Sequence, residues 1–327
     1  MLELSKEKVL KNLRTFVVEL KHPMKSNYFR EGVLIKGDYG WAEFAPFANH
    51  SIEHSTRWLQ SAIEMAWTDL VKPEINHIEV NALVVSLDFE SIENVILNSG
   101  CKTIKIKLSG DNLEKDKTLI QNLKQEFSYL KFRIDFNGSL GLPQAIKYAD
   151  EFNSFNIEYF EQPCNNLDDL KQLKKKSKIK IAIDESFRLA PNCLDNLLLD
   201  QILDIADFLI VKPIPLGGIK RFKQLLAKVR EDTKIVISGS MDTSIGLYLT
   251  ALAQTLIPEQ KRLVAGGGTG LMLKTDLVSE TIVPQNGFIE VKKLAPNESL
   301  IVESSNRDLL INRISDCFDF GRERGWF

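Results

Sequence analysis

Five charged residues recur at a nearly constant spacing, each at the end of a short apolar run. Lys107, Asp135, Glu161, Asp184 and Lys212 are separated by 28, 26, 23 and 28 residues. That length fits one strand, one helix and the two loops that join them. We therefore expect the five residues at the same place in successive βα units. The strand ends of a closed parallel barrel meet at one mouth, where this fold keeps its chemistry.

Apolar runs that resemble strands alternate with helical patterns from about residue 80 onward. There are eight such runs: VNALVVSLD, TIKIKLSG, KFRIDFNG, IEYFEQP, KIAIDES, FLIVKPIPLGG, KIVISGS and RLVAGGGTG. Eight strands with intervening helices predict an α/β protein built on a (β/α)8-type barrel over residues 80–289.

The first 79 residues have a different pattern and predict an α+β domain. Alternating runs, TFVVELK and GVLIKGDYGWAEFAP, precede the helical segment SIEHSTRWLQSAIEMAWTDL. The C-terminal segment, about 290–327, is expected to dock on this domain and complete it. Two turn-rich pieces, HPMKSNYF and PFANHSIEHS, form either a lid over the barrel mouth or ordinary surface loops.

Acidic and basic residues almost cancel. The 327-residue chain has 42 Lys and Arg against 44 Asp and Glu, so it lacks the positive charge that a phosphate backbone requires. The first residues mix charges with apolar side chains, unlike a signal peptide, and no apolar run approaches the roughly 18 residues of a membrane span. We expect a cytoplasmic protein that binds neither nucleic acid nor membrane, with its oligomeric state left open.

The positions of cysteine and histidine exclude several kinds of site. Four scattered cysteines without a CxxC pair predict reduced thiols in or near the core. All four histidines precede the predicted barrel, which argues against a histidine-rich zinc site or a Ser/His/Asp triad at its mouth. His50 and His54, on a polar segment without a third ligand, are expected at the surface.

Three acids between lysines at one mouth suggest a divalent cation held between two amines. Oxygen ligands on separate strands favour Mg²⁺, or Mn²⁺, over zinc or copper. Residues two apart in a strand share a face, so Lys105 accompanies Lys107, and Asn137, which we expect to bind substrate, accompanies Asp135. Adjacent ammonium groups and a nearby metal repel one another, so that one lysine can be neutral and act as a general base.

Two later segments leave alternatives open. Ser238 and Ser240 either bind a substrate carboxylate or cap the next helix. The GGGTG run matches neither GxGxxG nor a Walker loop, so we expect a tight turn whose bare amides, at Gly267 and Gly268, approach the substrate. A single Asp or Lys at a strand end is as often a solvated terminus as a functional group, but five in phase favour a site.

These residues resemble the enolase superfamily, specifically its muconate-lactonizing subgroup, over nearly the whole chain. REGVLI from Arg30 and GWAEFAP from Gly40 resemble the capping domain. In the barrel the resemblance rests on KIK at 105–107, DFN at 135–137, EQP at 161–163, DES at 184–186 and VKP at 211–213. It implies a modified (β/α)7β barrel with an N-terminal capping domain.

The resemblance also implies a chemistry. Mg²⁺ on Asp135, Glu161 and Asp184 would bind a small-molecule carboxylate substrate, with Glu185 just outside the ligand set. A lysine would remove the proton from the carbon beside that carboxylate and leave an enediolate, a pattern general to enolase-superfamily sites.

Within the subgroup the chain is most like the o-succinylbenzoate synthases, dehydratases of menaquinone biosynthesis. Similar dipeptide epimerases carry an acidic DxD at the eighth strand, where this sequence reads GGGTG. The resemblance implies that Lys107 is the base and then the acid, that Lys212 is the opposed cation, and that Lys105 tunes Lys107. The alternatives are N-succinylamino acid racemisation, muconate-type cycloisomerisation and an inactive metal-binding scaffold.

Overall fold

The computed structural model describes residues 4–24, 27–85 and 88–327. The helices are α1 (Lys6–Leu10), α2 (Ile52–Trp67), α3 (Phe89–Ser99), α4 (Leu113–Glu126), α5 (Leu142–Phe152), α6 (Leu167–Lys176), α7 (Glu185–Arg188), α8 (Asn196–Ile205), α9 (Pro213–Leu216), α10 (Ile219–Leu226), α11 (Ser244–Thr255) and α12 (Arg307–Glu323). The strands are β1 (Leu13–Met24), β2 (Asn27–Gly37), β3 (Gly40–Phe44), β4 (His77–Val84), β5 (Thr103–Lys107), β6 (Lys131–Asp135), β7 (Ile157–Glu161), β8 (Ile181–Ile183), β9 (Phe208–Val211), β10 (Ile235–Ile237), β11 (Ala265–Gly268) and β12 (Phe288–Glu290).

Eight parallel strands, β4 to β11, form the barrel. Each strand from β4 to β9 pairs with the strand that follows it in the chain, and β11 pairs with β4. A parallel bridge between Ser238 and Gly266 joins the remaining two strands, β10 and β11. At least one helix follows every strand from β4 to β10, which confirms the predicted (β/α)7β arrangement.

Alternate residues of the barrel strands face opposite ways, as the pleat of a strand requires. In β9, Phe208 and Ile210 pack with Tyr159 in a small interior cluster, whereas Leu209 and Val211 join the main core. The same alternation directs Lys105, Arg133, Asp135 and Glu161 to the buried interior of the barrel.

The first part of the chain forms a separate layer against the barrel. Strands β1, β2 and β3 make an antiparallel sheet, and α2 packs against β3 and against α12 at the end of the chain. Val17 N donates to Val302 O at 2.9 Å, which ties the C-terminal segment to β1. The boundaries at residues 79 and 290 stay predictions. Within the described ranges, no helix is long and apolar enough to cross a membrane.

Two sequence expectations about cysteine and histidine are settled by the fold. All four cysteines are free and buried, as predicted. His77 is the first residue of β4 and pairs with Glu290 of β12, so the expectation that every histidine precedes the barrel is wrong. Because His77 begins its strand, it lies at the end of the barrel opposite the mouth.

Close packing between β2 and α2 leaves no room for a side chain at Gly37. A Cβ there would lie 2.4 Å from the backbone oxygen of Ala66. We expect Gly37→Ala to lower the free energy of unfolding by about 1–3 kcal/mol, the usual cost of overpacking. Urea denaturation measures this change. The control is Gly141→Ala, where nothing lies within 4 Å; an equal loss in both variants would contradict the steric explanation.

Candidate active site at the barrel mouth

The five spaced residues lie at the carboxyl ends of five neighbouring strands. Lys107, Asp135 and Glu161 end β5, β6 and β7, while Asp184 and Lys212 directly follow β8 and β9. The strands are in register, so that Asp135 pairs with both Lys107 and Glu161. Since β5 and β9 are four strands apart in an eight-stranded barrel, Lys107 and Lys212 lie on opposite sides of the mouth.

Lys105 is a buried ammonium between two of the carboxylates. Its Nζ lies 2.6 Å from Glu161 Oε1 and 3.0 Å from Asp135 Oδ2. Burial alone would lower the pKa of Lys105, but Asp135 and Glu161 outweigh it and raise this pKa well above its ordinary value. Lys105 therefore keeps its proton and is a fixed positive charge beneath the mouth.

Lys107 is held by groups of the neighbouring strand. Its Nζ donates to Asp135 Oδ2 at 3.2 Å and to Asn137 Oδ1 at 2.8 Å. Asn137, whose φ of 48° is in the left-handed region, donates from Nδ2 to Glu185 Oε1 at 3.2 Å. Asn137 and Glu185 thus connect the Lys107 side of the mouth to helix α7, which follows β8.

Two cations hold Asp184 on the other side. Lys212 Nζ lies 2.6 Å from Asp184 Oδ2, and Arg188 Nε lies 3.0 Å from Oδ1. Burial would raise the pKa of Asp184, but Arg188 and Lys212 hold it well below its usual range. Arg188 also contacts Glu185 Oε1 at 3.1 Å. Asp184 is therefore an anion with its charge already balanced.

Glu161 has one cationic partner, Lys105, and shares it with Asp135. Burial and the neighbouring Asp135 raise the pKa of Glu161 to about 7. Its Oε2 is buried and has no hydrogen-bond partner in the described structure. A further positive charge beside Glu161 would favour its ionised form. Glu161 is thus a position in the mouth where another cation would stabilise the site.

The chemistry of this donor set fits a hard divalent cation. Asp135, Glu161 and Asp184 offer carboxylate oxygens from three adjacent strands, and Glu161 has a free buried oxygen. Across residues 4–24, 27–85 and 88–327, no three acidic, histidine or cysteine side chains already converge as a metal site. Instead, the amines of Lys105 and Lys212 contact the carboxylates.

Sequence reasoning missed two side chains that orient the site. Gln162 Oε1 accepts from the backbone N–H groups of Asp184 (3.2 Å) and Ser186 (3.1 Å), and its own φ is 40°. Strained residues of this kind are frequent at active sites. The EQP motif contains Gln162, but only the fold shows its partners. Arg188 had a signal, since it stands four residues after Asp184, within reach on a short helix.

The predicted serines both lie at the mouth and are nearly buried. Ser238 bridges Gly266 between the last two strands of the barrel, and its Oγ lies 3.5 Å from the carbonyl oxygen of Gly239. Ser240 N donates to Asp242 Oδ2 at 2.8 Å, while its Oγ has no partner among the described residues. Neither hydroxyl caps α11, whose N-cap is Thr243. Their role in binding substrate stays a prediction.

The two predicted glycines lie in strand β11, so the tight turn expected there is wrong. They also differ from each other in what surrounds them. A Cβ on Gly267 would lie 2.9 Å from both Val80 and Ile289 side chains, which belong to the main core. A Cβ on Gly268 would lie 2.3 Å from the Asn81 carbonyl oxygen. Gly268 thus allows a close approach between β11 and β4, and contact of either glycine with substrate stays a prediction.

A buried polar cluster anchors the first domain beside Ser240. Arg30 Nε donates to Met241 O at 3.1 Å, and Glu43 Oε2 accepts from Thr243 N at 3.0 Å and from Thr243 Oγ1 at 2.6 Å. Burial and the neighbouring Asp242 raise the pKa of Glu43 to about 7, against the opposing effect of Arg30. The signal in the sequence is Glu43, the one charge of the otherwise apolar strand β3; Arg30 gives no such signal, because β2 also contains Glu31 and Lys36.

The segment PFANHSIEHS reaches the mouth, but not as free surface. His50 packs edge-on against Phe47 and lies near Trp58, and burial lowers its pKa to about 3. His54 Nε2 lies 2.9 Å from Leu189 O, directly after α7. Both histidines are half-buried, so the expectation that they are surface residues is only partly right. The other candidate lid, HPMKSNYF, includes residues 25–26, which lie outside the described residues.

The fold and site together define a (β/α)7β-barrel enzyme with carboxylates and opposed lysines at its mouth. The family model described as enolase C-terminal domain-like matches residues 89–296, and the enolase N-terminal domain-like model matches residues 18–66. The chain belongs to the enolase superfamily.

Individual relatives agree with this assignment. The o-succinylbenzoate synthase of Thermobifida fusca is 28% identical over 293 residues, which are 89% of this chain and 90% of the relative. Among solved structures, the L-Ala-D/L-Glu epimerase from Bacillus subtilis superposes with a TM-score of 0.70 at 20% identity, over 87% of this chain and 96% of that one. The muconate lactonizing enzyme from Pseudomonas fluorescens gives 0.71 at 16% identity, over 92% and 98%.

The Glu43 carboxyl should make stability depend on pH. In the folded protein Glu43 keeps its proton up to about pH 7, whereas in the unfolded chain it loses it near pH 4.5. The folded state then binds more protons between these values, so the free energy of unfolding should fall as pH rises through this window. Glu43→Gln should flatten the fall in urea titrations with EDTA present, and the exposed Glu126→Gln should not. A slope unchanged by Glu43→Gln contradicts the assignment.

Proposed function

We propose that the protein catalyses the o-succinylbenzoate synthase reaction of menaquinone biosynthesis. The reaction is the syn-dehydration of 2-succinyl-6-hydroxy-2,4-cyclohexadiene-1-carboxylate to o-succinylbenzoate. The observation that carries the proposal is the placement of Lys107 and Lys212 on opposite sides of three carboxylates. The relative from Thermobifida fusca that bears this name supports the choice of substrate.

Asp135, Glu161 and Asp184 would hold Mg²⁺, or Mn²⁺. The metal would supply positive charge to the substrate carboxylate as negative charge develops there. Lys105 adds a fixed positive charge next to two of these ligands. Stabilisation that is stronger for the developing dianion than for the carboxylate is what accelerates the step.

Lys107 is assigned both proton transfers. As a neutral amine it takes the proton from the ring carbon that carries the carboxylate, and the C–H electrons pass into the enediolate. As an ammonium it then returns that proton to the departing hydroxide, which leaves as water while the ring becomes aromatic. One lysine can serve both steps because the proton and the hydroxide leave from the same face in a syn elimination.

Lys212 faces the other side of the substrate as a cation. Its Nζ lies 2.6 Å from Asp184 Oδ2, and as a cation it would stabilise the enediolate and the ring face. The eighth strand, AGGG, carries no acidic side chain. The hydroxyls of Ser238 and Ser240 and the nearby amides would suit an anionic succinyl tail.

Racemisation of N-succinylamino acids is a second candidate that the same geometry favours. Opposed lysines can remove a proton from one face and return it to the other, as that reaction needs. Deuterium exchange into N-succinylamino acids at the α-carbon tests it separately. Exchange without dehydration would replace the first proposal with this one.

The dehydration is tested by following the loss of diene absorbance with purified protein and Mg²⁺. We expect turnover that EDTA abolishes, and Lys107→Ala should lower kcat by about 10²- to 10⁴-fold, the usual contribution of a general base. Lys102→Ala, an exposed lysine that precedes the same strand, is the control. Undiminished turnover in Lys107→Ala would refute the named base, and a wild type without turnover would end the dehydratase proposal.

The metal site is tested without activity. A ligand that binds only the folded protein stabilises it, by about 2.7 kcal/mol at one hundred times its Kd. We expect Mg²⁺ and Mn²⁺ to raise the melting temperature of wild type and to have little effect on Glu161→Gln. Glu151→Gln, a surface residue paired with Lys117, should respond as wild type does. An equal metal response in Glu161→Gln would exclude Glu161 as a ligand.

A further inference from the structure

Helix α2 of the first domain meets the barrel just beyond Lys212. Lys212 is the N-cap residue of α9, and its carbonyl accepts from Leu216 N at 3.0 Å. Gly217 and Gly218, with φ of 109° and 97°, then connect α9 to α10. The position of the Lys212 backbone therefore depends on how this short junction is held.

Side chains of α2 contact both sides of the junction. Ser61 Oγ donates to Ile214 O of α9 at 2.5 Å. Glu64 accepts from the first two amides of α10, from Ile219 N to Oε2 at 2.5 Å and from Lys220 N to Oε1 at 2.8 Å. Ser61 and Glu64 are three residues apart, so they project from the same face of α2.

Glu64 supplies the N-terminal cap that the sequence of α10 lacks. The first amides of a helix have no partner within it, and the N-cap residue here is Gly218, which has no side chain to accept from them. A carboxylate at this end is also favoured by the helix dipole. A Cβ on Gly218 would lie 2.0 Å from Glu64 Oε2, so the glycine leaves the space that the carboxylate occupies.

We propose that Glu64 is a positioning residue for Lys212, acting from the first domain through the α9–α10 junction. The carboxylate keeps α10 and α9 in place, and α9 in turn keeps the Lys212 amine against Asp184. The part of this inference that concerns turnover rests on the proposed function. The part that concerns the position of Lys212 does not.

Amine labelling tests the position directly. Trinitrobenzenesulfonate modification of the metal-free protein, read by peptide mass spectrometry, compares Lys212 with Lys107. We expect Glu64→Gln, which has nearly the same shape but no charge, to increase the labelling rate of Lys212 severalfold and to leave Lys107 unchanged. Glu53→Gln, in the first turn of α2, is the matched control. Melting curves verify that each variant is folded.

The proposal is overturned if the Ile219 and Lys220 amides exchange hydrogen faster in Glu64→Gln while Lys212 labelling stays at the wild-type rate. Glu64 would then only cap a helix. Glu64→Asp, which retains the charge on a shorter side chain, should give labelling between the wild-type and Glu64→Gln rates, and it is the alternative variant if Glu64→Gln does not fold.

A double-mutant cycle tests the link to turnover. Glu64→Gln should lower kcat about tenfold or more with little change in KM, since small misplacements of catalytic groups cost up to about 10²-fold. In a Lys212→Ala background, Glu64→Gln should lower kcat little further, because the lysine that it positions is absent. Equal losses in both backgrounds contradict positioning through Lys212. If the wild type shows no turnover, only the proposed function is refuted, because amine labelling still tests the position of Lys212.

Discussion

The barrel mouth depends on the mutual compensation of buried charges. Isolated ions are costly to bury, and paired ions are tolerated when each has partners in good geometry. Lys105 and Lys107 share Asp135, while Lys212 and Arg188 share Asp184. The side chains are thereby held close together before any substrate binds, which is the preorganisation that electrostatic catalysis needs.

The first domain is part of this arrangement because it contacts three successive loops of the mouth. Its polar side chains bind backbone groups after β8, β9 and β10, through His54, Ser61 and Arg30 respectively. Bonds to the backbone fix where a loop lies, whatever its side chains are. The domain therefore shapes the half of the mouth that carries Lys212, while groups of the barrel, Asp135 and Asn137, hold Lys107.

The fold does not choose the reaction by itself. Structures similar to this chain include an epimerase and a muconate lactonizing enzyme, and one scaffold can serve different chemistries through its site. Opposed lysines suit both a syn elimination and a racemisation. The discriminating groups must contact the part of the substrate away from the reacting carbon, near Ser238, Ser240 and the eighth strand.

The sequence alone determined the barrel and the identity of its charged strand ends, because a repeat of strand and helix has a fixed length and strand faces alternate with period two. It could not determine the partners of Gln162, the burial of His50 or the contact of Glu64 with α10. Those contacts join segments up to about 155 residues apart, and no local pattern encodes such a distance. Only the tertiary structure decided them: neighbouring strands of the barrel set the partners of Gln162, and the packing of the first domain on the barrel set the contact of Glu64.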